Sequence, residues 1–262
     1  MTGPVSALYV PGDRPDRFAK AVASGADLVI FDLEDAVAPE AKDRALEDVT
    51  AFLESSIPAT VQVQVRVNSE RPAEWERVAA LTGVGIRMPK AESAASLAGV
   101  LALGSPVTAL VENACGLEAV GEIAASGVAG LALGEADLVA SLGTADAAVI
   151  EWARIRLVVA AAAAGLPAPM MGAFAAIRDL DGLERDCVRG AQLGFGGRSA
   201  VHPSQLPVIA RVFSPSDADR EWARAVRQAL AGGVGVATLE SGEMVDAAMA
   251  ARATRILGDQ VP

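Results

Sequence analysis

Short apolar runs recur along the chain, and stretches rich in Ala, Leu and Glu separate them. The runs have the length and composition of buried β-strands, whereas the stretches between them are typical of helices. The eight predicted strands are ALYV (7–10), LVIFDL (28–33), VQVQVRV (61–67), GIRMP (85–89), VTALV (107–111), GLALG (130–134), APMMGAF (168–174) and GGRSAV (196–201). Strands that alternate with helices indicate βα units and a parallel sheet.

Eight βα units in a chain of this length predict an α/β fold, a (β/α)8 TIM barrel over residues 1–212. A doubly wound open sheet is the competing architecture, but no Gly-x-Gly-x-x-Gly turn follows the first strand. Residues 213–262 lie beyond the eighth unit and have the pattern of two helices around a Gly-rich turn. We expect them to form a C-terminal helical lid, packed on the barrel or on a neighbouring subunit.

Polar side chains follow most of the predicted strands. They are Asp32, Glu34 and Asp35 after the second strand, Arg66 and Asn68 at the third, Lys90 after the fourth, Glu112 and Asn113 after the fifth, Glu135 and Asp137 after the sixth, and His202 after the eighth. The C-terminal ends of barrel strands meet on one face, so this placement favours one shared site. An acidic cluster there suggests a divalent cation, with Arg66 holding an anionic substrate.

Composition and charge narrow the class of protein. With 262 residues, 52% hydrophobic and 21% charged, the chain is globular and long enough for one large domain. A net charge of -11 argues against nucleic acid as a partner. The sequence has neither a secretory signal pattern nor an apolar run of membrane-spanning length, so we expect a cytoplasmic protein without a membrane partner.

The cysteine and histidine counts limit the chemistry further. Two cysteines, Cys115 and Cys187, are too few for a disulfide framework. His202 is the single histidine, which excludes a His-rich zinc site. Any metal should therefore be a hard cation held by carboxylate oxygens.

The segment LYVPGDRPDRFAKAVASGADLVIFDLEDAVAPEAKDRA resembles the opening of the citrate lyase β-subunit-like (CitE-like) proteins of the HpcH/HpaI aldolase superfamily. The motifs VRVNS, MPKAES, LVENACGL, GEADLVASLG, GFGGRSAVHPSQL and GEMVDAAMAARA resemble the same family, in order and across essentially the whole chain. The resemblance implies a TIM barrel, a homotrimer or dimer of trimers, Mg²⁺ with Mn²⁺ as an alternative, and a coenzyme A thioester as substrate.

The resemblance also implies roles for particular residues. Glu112 and Asp137 match the metal ligands, and Arg66 matches the residue that holds the substrate. Substrate contacts are further implied for Glu34, Asp35, Val201 and His202, with the two acidic residues holding metal-bound water or orienting Arg66. Coenzyme A contacts are implied for Tyr9, Arg14, Arg17 and Lys20. A solvated helix face is the alternative for Arg14 and Arg17, and a backbone contact in the eighth loop is the alternative for His202.

Asp246 matches an acid–base residue that the family delivers across a subunit interface. Its alternative role is an N-cap of the helix that follows. The sequence departs from the family at Cys115, where many members have Arg, and before the first strand, where the usual Arg is missing from GPVSALYV.

The implied reaction makes or breaks a C–C bond between a keto acid, such as pyruvate or glyoxylate, and an acyl-CoA enolate. A malyl- or citramalyl-CoA lyase is the first hypothesis. A citrate lyase β-subunit that works in a complex, and a non-catalytic barrel subunit, are the alternatives. The presence of Arg66, Glu112 and Asp137 argues against a non-catalytic subunit.

Overall fold

A computed structural model of the protein describes residues 3–55, 61–232 and 235–258. Eight parallel strands close into a barrel in sequence order, and the last strand pairs with the first. The strands are β1 (Ser6–Pro11), β2 (Leu28–Asp32), β3 (Gln62–Arg66), β4 (Val84–Met88), β5 (Val107–Val111), β6 (Gly130–Leu133), β7 (Met170–Met171) and β8 (Gly197–Ala200). The predicted (β/α)8 barrel is confirmed, and each predicted run overlaps its strand, although β1 and β4 each begin one residue before theirs.

Helices connect the strands of the barrel. They are α1 (Pro15–Val22), α2 (Lys42–Ser55), α3 (Pro72–Ala79), α4 (Ala94–Leu101), α5 (Ala114–Glu118), α6 (Val120–Ala125), α7 (Glu135–Leu142), α8 (Ala147–Ala163), α9 (Leu180–Leu193) and α10 (Leu206–Phe213). Local sequence explains several starts. Proline occupies the first turn of α1 and α3, and a Ser93 capping box begins α4. None of the described helices is both long and apolar enough to cross a bilayer.

Side chains alternate between two environments along each strand. The outward-facing residues of the strands pack under the helices, as where Phe31 meets Phe18 with ring centroids 5.0 Å apart. The inward-facing residues form a smaller cluster that includes Ile30, Leu110 and Met170. Toward the C-terminal ends of the strands this inner face becomes polar, and there the barrel opens into a cavity.

The described residues form two compact units, Pro4–Phe213 and a second one over 214–258 with Gly3. The second unit contains α11 (Asp217–Leu230), β9 (Val236–Thr238), β10 (Met244–Asp246) and α12 (Ala247–Leu257). The two expected helices are present, but the segment between them is more than a Gly-rich turn. β9 and β10 form an antiparallel hairpin, closed where Gly242 adopts a positive φ of 87°.

Candidate active site

The barrel opens into a cavity of about 250 Å³ at the C-terminal ends of its strands. Seven of the residues predicted for the site line this cavity, namely Tyr9, Asp32, Arg66, Glu112, Glu135, Asp137 and Val201. They come from six different βα units and are separated by up to 192 positions in the sequence. The topology therefore brings distant residues to one site, as expected for a barrel mouth.

Glu112 follows β5 and is only 4% exposed. Its Oε1 accepts a hydrogen bond of 2.7 Å from the backbone N–H of Lys90, whose φ of 52° is unusual for a residue other than glycine. Its Oε2 is buried and has no hydrogen-bond partner among the described residues. Burial, reinforced by the negative charges of Glu34 and Asp137, raises the pKa of Glu112 to about 7.

Glu112 and Asp137 suit a magnesium ion. Asp137 lies in the first turn of α7 and lines the same cavity as Glu112. A Cβ at Gly134 would lie 2.8 Å from Glu112 Oε2 and clash with it, so a glycine at this position makes room for the carboxylate. Mg²⁺ is commonly held by one or two carboxylates, with water and substrate oxygens at its other positions.

Arg66 is the centre of an acidic cluster. Its Nε and Nη2 donate to the two carboxylate oxygens of Asp32 at 2.7 and 2.6 Å. Its Nη1 lies 2.9 Å from Glu34 and 3.2 Å from Asp35. Burial opposes the charge of Arg66, but the bonds to Asp32 outweigh it and raise the pKa above its ordinary value. The guanidinium is therefore held rigidly and permanently charged, with three carboxylates around it.

The three carboxylates at and just beyond the end of β2 are stabilised by Arg66 and Lys90. Glu34 is 4% exposed, and Lys90 Nζ lies 2.9 Å from its second oxygen. Burial nonetheless raises the pKa of Glu34. Lys42 Nζ donates to the backbone oxygens of Leu33 and Glu34 at 3.0 and 2.9 Å, which fixes the path of this loop. The polar end of this apolar strand thus positions Arg66.

The predicted coenzyme A residues do not all lie together. Tyr9 is in the cavity, where Arg66 stacks over its ring at 5.2 Å. Arg14, Arg17 and Lys20 are exposed on or next to α1, and Arg14 pairs with Asp16 at 3.0 Å.

Two other predicted residues have local hydrogen bonds. His202 Nδ1 accepts from the N–H of Ser204 at 3.2 Å and so caps the turn Pro203–Gln205. Asp246 belongs to the second unit, where its Oδ1 accepts from the N–H groups of Ala248 and Met249 at 2.9 and 3.3 Å. The alternative role of Asp246 as an N-cap is therefore present, through Oδ1 alone.

Sequence reasoning missed one charged residue of the cavity. Arg87 lies inside β4, lines the cavity and is 2% exposed. Its signal was present in the run GIRMP, because a charged residue within a buried strand requires a reason.

Comparisons with known proteins agree with the fold. The sequence profile described as HpcH/HpaI aldolase/citrate lyase matches residues 5–203. The chain is 35% identical to a citrate lyase subunit beta-like protein of Mycobacterium tuberculosis, over 95% of this chain and 93% of that protein. It is 36% identical to a (3S)-malyl-CoA thioesterase of Cereibacter sphaeroides, over 92% and 89%.

Two further similarities concern a lyase and a solved structure. The L-malyl-CoA/beta-methylmalyl-CoA lyase of Rhodobacter capsulatus is 32% identical, over 92% of this chain and 89% of the lyase. The crystal structure of protein CitE from Mycobacterium tuberculosis, in complex with magnesium, acetoacetate and coenzyme A, superposes with a TM-score of 0.79. That comparison covers 98% of this chain and 97% of CitE, at 34% identity.

Proposed function

This chain belongs to the HpcH/HpaI aldolase/citrate lyase family, and we propose that it is a Mg²⁺-dependent acyl-CoA lyase or synthase. It would break or form the C–C bond between a keto acid and an acyl-CoA, as a malyl- or citramalyl-CoA lyase does. The single observation that carries the proposal is the buried Oε2 of Glu112, which has no hydrogen-bond partner in the described part of the chain and lies in a cavity that Asp137 also lines. A buried carboxylate oxygen without a donor calls for a cation.

The chemistry divides between the metal and the chain. Mg²⁺, when held by Glu112 and Asp137, would supply Lewis-acid polarisation of the substrate hydroxyl and carbonyl oxygens. Arg66, fixed by Asp32, Glu34 and Asp35, orients an anionic group of the substrate. Cleavage removes the hydroxyl proton, breaks the C–C bond, and leaves a keto acid and an acyl-CoA once the α-carbon has been protonated.

Asp246 is our candidate for the group that carries the proton of the α-carbon. Its Oδ1 is occupied by the helix cap, which leaves Oδ2 as the oxygen for proton transfer. We propose that it acts in the barrel mouth of a neighbouring subunit of a homotrimer. α8 carries a stripe of exposed apolar side chains, Trp152, Ile155 and Val159, which supports self-association. Sedimentation of the full chain would test the trimer.

Exposed cationic residues support a coenzyme A contact outside the cavity. Arg14, Arg17 and Lys20 would meet the phosphates of coenzyme A. Val201 and His202 would lie near the thioester. A cytoplasmic location completes the proposal, since both described cysteines are free thiols.

The decisive experiment separates bond cleavage at carbon from hydrolysis of the thioester. The full chain is incubated with Mg²⁺ and a panel of hydroxyacyl-CoA esters, and both keto acid and free thiol are measured. A lyase releases keto acid and acyl-CoA without free thiol, whereas a thioesterase releases free coenzyme A. EDTA and Glu112→Gln should each abolish the reaction. Free thiol without keto acid, or turnover that survives both treatments, would refute the proposal.

A further inference from the structure

Arg87 is the most deeply buried charge of the cavity. Its side chain projects from β4 into the barrel, where the guanidinium lies over the Tyr9 ring at 5.8 Å. Only 2% of the residue is exposed, yet it lines the same cavity as Glu112 and Asp137. Arg87 therefore contacts the space available to a substrate.

The hydrogen-bond partners of Arg87 are all uncharged. Its Nε donates to Gln64 Oε1 at 3.0 Å, its Nη1 to the Tyr9 hydroxyl at 3.5 Å, and its Nη2 to Met170 Sδ at 4.0 Å. The last two contacts are long, and sulfur is a weak acceptor. Among the described residues, no carboxylate forms an ion pair with Arg87.

The other buried arginines are paired. Arg66 has three carboxylates, Arg154 lies 2.6 Å from Glu135 and 2.8 Å from Asp186, and Arg198 lies 2.7 Å from Asp186. Arg87 is thus an exception within the part of the chain that the structure describes. A guanidinium does not lose its proton when buried, so its charge must be compensated in another way.

We propose that Arg87 is a specificity-determining residue that binds a second carboxylate on the keto-acid half of the substrate. This inference rests on the proposed lyase function but changes its substrate class, from the keto acids with one charge that a malyl- or citramalyl-CoA lyase uses to a keto diacid. Arg66 is already surrounded by carboxylates, so the uncompensated positive charge of the cavity is that of Arg87. A bidentate carboxylate would replace the long contacts to Tyr9 and Met170 with charge-assisted hydrogen bonds.

The test measures binding rather than turnover. Calorimetric titration of the Mg²⁺-loaded full chain compares oxaloacetate with 2-oxobutyrate, in which a methyl group replaces the second carboxylate. 2-Oxoglutarate and 2-oxovalerate provide a second pair with one more carbon. We expect the diacid of at least one pair to bind roughly 10- to 150-fold more tightly. A wild-type ratio near one in both pairs overturns the proposal without any variant.

Two variants assign the preference to the residue. Arg87→Met removes the charge at similar length and should bring the binding ratio close to one, whereas Arg87→Lys should retain part of it. Arg44→Met is the matched control, because the Arg44 side chain is 85% exposed on α2 and pairs with Asp48 at 3.7 Å. A ratio that persists in folded Arg87→Met overturns the proposal.

The outcomes also separate this inference from the lyase function. Arg87-dependent binding of keto diacids without any cleavage of hydroxyacyl-CoA would support Arg87 and refute the lyase. Cleavage of hydroxyacyl-CoA, together with a keto-acid preference that is unchanged in Arg87→Met, would support the lyase and refute the role of Arg87. Failure to bind any keto acid in the presence of Mg²⁺ would refute the role of Arg87, and the cleavage assay would still decide the lyase function.

Discussion

Replacing Arg154 by Met should destabilise the barrel far more than the same change two residues along α8. Arg154 donates from Nη2 to Glu135 Oε2 at 2.6 Å and from Nη1 to Asp186 Oδ1 at 2.8 Å. It thereby connects α8 to the start of α7 and to α9. The Arg154 side chain is 9% exposed, so both ion pairs lie largely out of water.

The magnitude follows from what the substitution leaves behind. Removing one partner of a buried ion pair costs about 3–5 kcal/mol, because the other charge stays buried. Glu135 and Asp186 keep some contact with water, and Asp186 keeps Arg198 at 2.7 Å. We therefore expect Arg154→Met to lower the free energy of unfolding by about 2–4 kcal/mol, or the melting temperature by roughly 4–16 °C.

Arg156→Met is the control. Arg156 pairs with Glu118 at 3.1 Å at the surface and stacks over Trp152 at 5.1 Å, contacts worth about 0–1 kcal/mol. Urea unfolding and thermal melting of both variants measure the difference. A loss for Arg154→Met within about 0.5 kcal/mol of that for Arg156→Met would refute the reasoning.

The remaining predictions concern pH and the site. Burial opposes the charge of Asp186, but Arg154 and Arg198 hold its pKa below the usual value, so the stability it contributes is present above about pH 4 and is lost as the pH falls further. The unfolding free energy of Arg154→Met should therefore depend less on pH in this acid range. An acid transition that is the same in the variant and the wild type contradicts this. Glu112→Gln should abolish Mg²⁺ binding, measured by calorimetry, while the fold stays intact. Because Mg²⁺ binds the carboxylate, the Mg²⁺ affinity of the wild type should weaken about tenfold per pH unit below about pH 7. Normal Mg²⁺ binding by the variant removes the basis of the metal site. Arg66→Lys should lower kcat/KM roughly 10- to 150-fold, because it loses the planar fork, and unchanged kinetics would make Arg66 purely structural. Asp246→Asn should melt at the wild-type temperature but turn over roughly 10²–10⁴-fold more slowly. Mixing it with Arg66→Ala protomers should restore part of the activity. Full activity of Asp246→Asn alone refutes the catalytic role, and no restored activity on mixing refutes only its action in trans.

The barrel could be predicted because each strand carries its own signal. Runs such as LVIFDL are apolar on both faces, since helices cover one face and the barrel interior covers the other. The polar ends of the runs also predicted where a site would form, and Glu112 and Asp137 do line one cavity. These are local features of sequence combined with one rule of topology.

The partners of each side chain could not be predicted in the same way. Arg66 is bonded to Asp32, 34 residues earlier in the chain, and periodicity does not determine which carboxylate it meets. The hairpin of β9 and β10 was missed because its strands are three residues each, too short to show alternation. Arg87 was missed because the apolar residues of GIRMP suffice to predict the strand, and they carry no information on the role of the arginine between them.

The location of Arg87 on a strand has an evolutionary consequence. The proposed metal ligands follow β5 and β6, and Glu34 and Asp35 follow β2, whereas Arg87 belongs to β4 itself. Arginine and methionine codons can differ by a single nucleotide, so one mutation could change the charge of the barrel interior while every loop of the site keeps its sequence. Substrate preference and bond-breaking chemistry could then diverge separately between lineages. A mutant library confined to position 87 would be the smallest one in which to select for new keto-acid preferences.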